Sequence, residues 1–461
     1  MIGGDGGARG IDRATAVLEG NQNILALLAF AMVATFVTLI MTKRVSAIVG
    51  LVVVPIAFAL VGGFGPNLGE MMLAGVRDIA PTGIMLLFAI LYFGLMIDAG
   101  LFDPLVVRIV RLVGQDPLRI IVGTASLALI ISLDGDGATT YMITVAAMMP
   151  LYHHMRLDTR KMACVIIMAS GAANLLPWGG PTARAAVALQ IDVQELYLAI
   201  LPAQLACAAW VLIVAAIFGL RERSRLAAAG ESATPEVLTS KEIVAEDRER
   251  DASALRPRLF PVNLALTLAL LAALIMGLLP LPVLFIIAFV TALMINYPTL
   301  SEQRRRIEAH AGNALAVSGL IFAAGIFTGI LSGSGMIDAM TGAIVGIIPA
   351  ELGVFLAPIT ALLSIPFTFL ISNDAFYFGM LPILANTGAA YGISPEAIAR
   401  ASLVGQQVHL LSPLVPSTYL LVALARIEFG EHLRFTLPWA LASCAIMMAA
   451  GILFGIFPLK A

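Results

Sequence analysis

Ser132-Leu-Asp-Gly-Asp-Gly-Ala-Thr-Thr-Tyr141 sits at the centre of an otherwise apolar run, residues 120–150. One membrane span takes about 20 apolar residues. The run is therefore too long for a single crossing, and its middle carries residues that break helices. The same pattern returns at 351–385, interrupted by Ser372-Asn-Asp374. Both runs read as helical hairpins that enter and leave on one side. Irregular backbone at that depth survives only where protein or a water-filled cavity covers it.

Composition agrees with a lipid-embedded chain. Of 461 residues, 60% are hydrophobic and 12% charged, against roughly 25% charged in a soluble domain. Mean hydropathy is +0.97. A soluble fold of this length has nowhere to bury so much apolar surface, and a disordered chain is excluded too. The net charge of −2 offers no basic field for nucleic acid. Cys164, Cys207 and Cys444 lie in apolar runs without metal-ligand or pairing spacing and read as packing residues. Residues 1–22 form a polar, Gly-rich segment. No small-residue cleavage site follows the next apolar run, so that run is expected to be a retained first helix.

Outward from the two hairpins, ten spans are expected, near 23–41, 46–62, 83–98, 162–190, 194–220, 260–279, 282–295, 311–331, 398–425 and 435–457. With the N-terminus outside, 21 of the 27 Lys and Arg fall in cytoplasmic loops, as the positive-inside rule asks. Counting either hairpin as a crossing would make the basic clusters alternate sides. The polar stretch 221–259 carries eight basic and eight acidic residues and reads as a solvated cytoplasmic linker. It separates a first membrane repeat, 23–220, from a second, 260–457.

The halves resemble each other. At an offset of 235, Gly94, Gly100 and Asp103 match Gly329, Gly335 and Asp338, Asn174 matches His409 and Pro181 matches Pro416. Each half has five spans, an odd number, so the second half is inverted in the membrane. The hairpin at 120–150 then opens inward and the one at 351–385 outward. The fold class expected is an all-α polytopic membrane protein of two inverted repeats with two re-entrant hairpins. Inverted repeats with broken helices point to a secondary transporter whose site lies where the breaks meet, near mid-membrane.

Intramembrane carboxylates are costly and are functional candidates by default. Asp134 and Asp136 occupy one tip and Asp374 the other, as candidates for holding a metal or carrying protons. Ser132, Thr139, Thr140, Ser372 and Asn373 add neutral oxygens. Such an oxygen set suits a hard cation, while half-helix N-termini suit an anion; both together suit a metal–carboxylate complex or an anion with a coupling cation. The plainer reading of Gly-Asp-Gly is a solvated turn.

Asn174-Leu-Leu-Pro177-Trp-Gly179-Gly180-Pro-Thr182 and His409-Leu-Leu-Ser412-Pro-Leu-Val-Pro-Ser417 interrupt one span in each half. Pro removes a backbone donor and Gly frees the chain, so unwound backbone there can meet a ligand or simply mark a kink. Arg184 either holds a carboxylate by its fork or snorkels to the interface. His409 is a proton carrier or an interhelical hydrogen-bond partner. Asp98, Asp103 and Asp338 read as caps or loop residues, and His153, His154, His310 and His432 as loop residues.

Ser132–Tyr141, Leu176-Pro-Trp-Gly-Gly-Pro-Thr-Ala-Arg-Ala-Ala186 and Ile371-Ser-Asn-Asp-Ala-Phe376 resemble the citrate–divalent-metal:proton symporter family of the ion transporter superfamily. The resemblance runs from about residue 23 through nearly the whole chain. It implies a multi-pass protein of the bacterial inner (plasma) membrane, a homodimer whose protomers each have a scaffold and a mobile transport domain moving as an elevator. It also implies import of citrate complexed with a Mg²⁺-like or Ca²⁺-like ion, together with protons, and no tightly bound cofactor. Sodium-coupled relatives carry Ser-Asn-Thr at each tip; here Gly135-Asp-Gly137 and Ser372-Asn-Asp374 replace neutral oxygens with carboxylates. The segments 46–62 and 282–295 lack polar residues at mid-depth and are expected in the scaffold and dimer interface.

The runner-up is a sodium- or proton-coupled transporter of metal-free di- or tricarboxylates. An ion channel fits duplicated acidic hairpins less well. An enzyme is not expected: an intramembrane hydrolase lacks support, since neither His-Glu-x-x-His nor Gly-x-Ser-x-Gly occurs.

Overall fold

Residues 5–228 and 253–461 are described in the computed structural model, with side chains from residue 22 onward, Ala350 apart. Among them there is no strand. Among the described residues, seven helices are long and apolar enough to cross a membrane. Residues 229–252, most of the expected linker, lie outside the described part.

The first half comprises α1 (Asp5–Met41), α2 (Ala47–Val61), α3 (Leu68–Asp98), α4 (Asp103–Val113), α5 (Pro117–Ile131), α6 (Gly137–His154), α7 (Thr159–Ala173), α8 (Gly180–Leu189) and α9 (Val193–Ala228). The second comprises α10 (Phe260–Ile275), α11 (Leu281–Asn296), α12 (Leu300–Gly333), α13 (Met336–Val345), α14 (Leu356–Leu370) and α15 (Leu381–Ala390). It ends with α16 (Pro395–Ser402), α17 (Gln406–His409), α18 (Pro416–Leu424) and α19 (Phe429–Leu453).

Local chemistry sets many of these bounds. Asp116, Asp158 and Ser394 cap α5, α7 and α16 by accepting backbone N–H bonds, and Pro occupies the first turn of α5, α16 and α18, where its missing donor costs nothing. Polar residues hid other bounds from a hydropathy reading. Helix α3 begins at Leu68, not near 83, and carries Glu70, Arg77 and Asp78 in its first turns. Helix α12 begins at Leu300 and includes Arg304–Arg306. At 1.5 Å per residue both exceed the hydrocarbon thickness, so they extend beyond it or tilt. Helix α1 starts at Asp5, and α9 continues to Ala228.

The tightest crossing joins α3 to α12. A Cβ on Gly75 would lie 2.0 Å from the Gly325 carbonyl oxygen and 2.7 Å from Gly329 Cα. Gly325-x-x-x-Gly329-x-x-x-Gly333 thus works as a small-residue stripe that lets two backbones touch. Farther along, a Cβ on Gly94 would lie 2.5 Å from the His310 ring. The fit lets His310 Nε2 sit 2.9 Å from Asp98 Oδ2, while Arg306 Nη1 donates to the same oxygen at 3.1 Å.

Two earlier expectations are corrected here. Asp98 is neither a cap nor a loop residue but the acceptor that joins α3 to α12. His310 and His432 lie inside α12 and α19, and His153 and His154 form the last turn of α6. Each flanks charged residues, which made helical sequence look like loop. At the other end of α9, buried Glu222 pairs with Lys161 and Arg225, so the helix is anchored past residue 221 instead of dissolving into linker.

Both runs that decided the fold turn back on themselves. Thr124 Oγ1 donates to Tyr152 Oη at 3.4 Å; on one straight helix these residues would stand about 40 Å apart. Just outside the two ends of the second run, Tyr391 Oη donates to the Ile348 carbonyl at 2.9 Å, and a Cβ on Gly353 would strike the Tyr391 ring. The open ends of α14 and α15 therefore meet, leaving 371–374 at the tip.

Candidate functional site

At the first tip, Ser132–Asp134 forms one 3₁₀ turn and Gly135 takes φ +81°, a conformation that favours glycine. Asp134 is buried. Its Oδ1 accepts from the Asp136 N–H at 2.9 Å, while its Oδ2 is buried with no hydrogen-bond partner. Asp136 is exposed and acts as the N-cap of α6: Oδ1 accepts from Ala138 N–H, and Oδ2 from Thr139 N–H and, at 2.6 Å, Thr139 Oγ1. Ser132, Asp136, Asn174 and Ser417 surround a small cavity with Gly135, Gly137, Ser170 and Leu410; its volume is about 60 Å³. That admits water or a small ion and is far below the roughly 300 Å³ of an ordinary small-molecule pocket.

The break between α7 and α8 holds this tip in place. Trp178 Nε1 donates to the Leu133 carbonyl at 2.9 Å, and its ring packs on Phe93 and Phe285. Pro177 and Gly179 are buried. A Cβ on Gly179 would lie 2.1 Å from the Asn174 carbonyl oxygen, so only glycine fits the turn. Where α7 ends, its last carbonyls lose their helical partners. Gln407 donates to Gly171 O at 3.3 Å and Gln204 to Ala172 O at 3.0 Å, while Thr182 Oγ1 donates to Leu175 O at 2.8 Å. The second break is built alike: Thr418 Oγ1 donates to Leu410 O, and Ser412 Oγ to Phe369 O at 2.6 Å. Thr182 reaches back seven residues and Thr418 eight, so Thr418, not Ser417, plays the part of Thr182.

At the second tip the charges pair. Arg184 Nε, on α8 just past the first break, donates to Asp374 Oδ1 at 2.7 Å. Both side chains are mostly buried, 21% and 18% exposed. Asn373 and Gln406 exchange two amide bonds, of 3.3 and 3.0 Å, and Gln406 also donates to Tyr377 Oη. Ser372 Oγ accepts from Ala375 N–H. The first turn of the returning limb, Ala375–Met380, is π-helical, a local form frequent at functional sites. His409 Nδ1 lies 2.6 Å from the Thr368 carbonyl oxygen; since that oxygen only accepts, Nδ1 carries the proton.

The expected site residues thus form two sets of contacts, one at each tip. Ser132, Asp134, Asp136, Thr139, Asn174 and Ser417 gather at the first tip; Arg184, Ser372, Asn373, Asp374 and His409 gather at the second. Thr182 and Ser412 spend their hydroxyls on backbone carbonyls, and Pro177, Gly179 and Gly180 shape the loop. Among the described residues no three His, Cys, Asp or Glu side chains gather where they could hold a metal ion. Arg184 is mostly buried and pairs with Asp374. Ser170, Gln204, Gln406, Gln407 and Tyr377 were not anticipated. Gln204, Gln406 and Gln407, polar residues within apolar spans, were the available signal.

With this geometry in view, comparison with known proteins is informative. Residues 22–405 match the CitMHS family, described as citrate transporter. Two relatives come from Bacillus subtilis strain 168. One, named citrate transporter, is 55% identical over 94% of this chain and 99% of its own length. The other, named Mg(2+)/citrate complex secondary transporter, is 47% identical over the same shares. Among solved structures, MtrF of Neisseria gonorrhoeae superposes with a TM-score of 0.55 at 14% identity, covering 84% of each chain, a likeness of fold alone.

Proposed function

The chain belongs to CitMHS, a family of transporters and not of enzymes, and from that premise we propose that it imports citrate as its divalent-metal complex, coupled to protons, by alternating access of the elevator type. The observation that carries this reading is the Arg184–Asp374 contact. It sets one anion-binding and one cation-binding group side by side where a broken helix of the first half meets the hairpin tip of the second. Citrate at neutral pH carries about three negative charges; a divalent metal lowers that to about one and leaves a complex needing both kinds of partner. Arg184 would take a carboxylate, and Asp374 the metal. Asp134, with its unpartnered buried oxygen, would carry the coupling proton. Asp136 stays with its cap.

Inverted repeats are part of the proposal. The offset of 235 that pairs Gly94 with Gly329 also pairs Gly75 with His310, and the contacts observed are Gly94 with His310 and Gly75 with Gly329. One contact becomes the other when the halves are exchanged, which supports a pseudo-twofold relation. Both hairpins would be re-entrant. A homodimer would use the exposed apolar faces of α2 and α11, which include Val53, Val61, Ile287 and Met294.

Uptake of labelled citrate into proteoliposomes tests the reading, with Mg²⁺, Ca²⁺, Ni²⁺ or Zn²⁺ added singly and EDTA as control. Saturable accumulation that needs one of the metals and an inward proton gradient is expected. Equal accumulation in EDTA would favour the metal-free tricarboxylate alternative, and conductance without accumulation a channel.

A further inference from the structure

Resting on that reading of the cargo, we infer that the Arg184–Asp374 pair is the element that makes the site accept metal and citrate only together. Its 2.7 Å contact joins residues 190 positions apart, one on each broken element. Their neighbours are already engaged. Asn373 is tied to Gln406, Ser372 to the backbone of its own tip, and His409 Nδ1 to the Thr368 carbonyl. When one member of the pair changes partner, the neutral side chains of Asn373 and Ser372 supply no charge to replace it, and an uncompensated buried charge is costly. Gly180 makes room for the arrangement: a Cβ there would stand 2.6 Å from Arg184 Nη1, so the guanidinium lies folded over the loop that a ligand would approach.

Three encounters then differ. Metal-free citrate attracts Arg184 but strands Asp374 beside a trianion. A bare divalent cation attracts Asp374 but faces the guanidinium. The complex supplies a carboxylate to Arg184 and a metal to Asp374 at once, so each side chain exchanges one charged partner for another. With no cargo the pair closes on itself and leaves the tip neutral, which lets the empty site return across the membrane without carrying either component alone.

Equilibrium binding of labelled citrate to the purified, full-length protein in detergent tests this, in Mg²⁺ and in EDTA. The wild type is expected to bind at least about thirtyfold more tightly with Mg²⁺. Asp374→Asn is expected to bind citrate in EDTA about tenfold better than the wild type does, with a Mg²⁺ advantage below about threefold. The double variant Arg184→Gln/Asp374→Asn buries no unpaired charge and keeps an amide contact, so it decides the matter if the single variant does not fold. Its affinities with and without Mg²⁺ are expected to agree within about threefold. Either variant, eluting as the wild type does on size exclusion yet keeping the wild-type Mg²⁺ advantage, overturns the inference. A wild type that binds equally in Mg²⁺ and EDTA overturns instead the metal–citrate reading on which it rests.

Discussion

At the second hairpin tip Asp374 meets Arg184; at the first, the residues around the cavity beside Asp136 include no Lys or Arg. Both tips break a long apolar run with an acid, yet they resolve the cost of an intramembrane carboxylate differently. The second neutralises its acid with a cation from the other half of the chain. The first spends Asp136 on the exposed N-terminus of α6 and leaves Asp134 buried with one oxygen unpartnered. A paired acid can exchange its partner for cargo, whereas a buried acid with an unpartnered oxygen has a position open for a coupling proton. The proposed division of labour, cargo at the second tip and proton at the first, follows from that contrast.

The largest expected effect comes from removing the second tip's cation. Arg184→Gln strands Asp374 and deletes the carboxylate fork, so metal–citrate uptake should fall at least about a hundredfold. Initial rates in proteoliposomes containing equal amounts of folded protein check this; a loss under about threefold would mean that the two tips do not differ as described. Next comes Asp134→Asn. Accumulation driven by a pH gradient should drop about tenfold or more, while citrate–citrate exchange stays within about threefold, because an amide can occupy the site but cannot cycle a proton. Loss of exchange as well would move Asp134 from coupling to binding. The smallest effect is expected at Asp136. Asparagine still caps a helix, so Asp136→Asn should leave uptake within about threefold, whereas Asp136→Ala should cost about 1 kcal/mol of stability, read as a lowered unfolding temperature in detergent. A collapse of transport in Asp136→Asn would return that carboxylate to the cargo.

Much of this was legible in sequence for a physical reason. Lipid punishes unsatisfied backbone and charge so strongly that polar residues inside apolar runs mark hairpin tips and breaks. The acids, the Pro-Gly interruption and Arg184 all stood out on that ground. What was hidden depends on contacts between distant parts of the chain. No spacing links Arg184 to Asp374. The first turns of α3 and α12 are too polar for a hydropathy reading to claim, yet tertiary packing, with Gly75 against Gly329 and Asp98 on Arg306 and His310, keeps them helical. Gln204 and Gln407 take their meaning from the carbonyls at the end of α7, contacts that no spacing reveals.

The central claim is that metal and citrate cross as one complex. Simultaneous uptake of labelled citrate and a labelled divalent metal into the same proteoliposomes tests it most directly, using whichever metal supports the fastest uptake. The account predicts that both labels accumulate with the same time course and in a one-to-one ratio, and that omitting either abolishes entry of the other. Citrate that accumulates while the metal stays outside would contradict it.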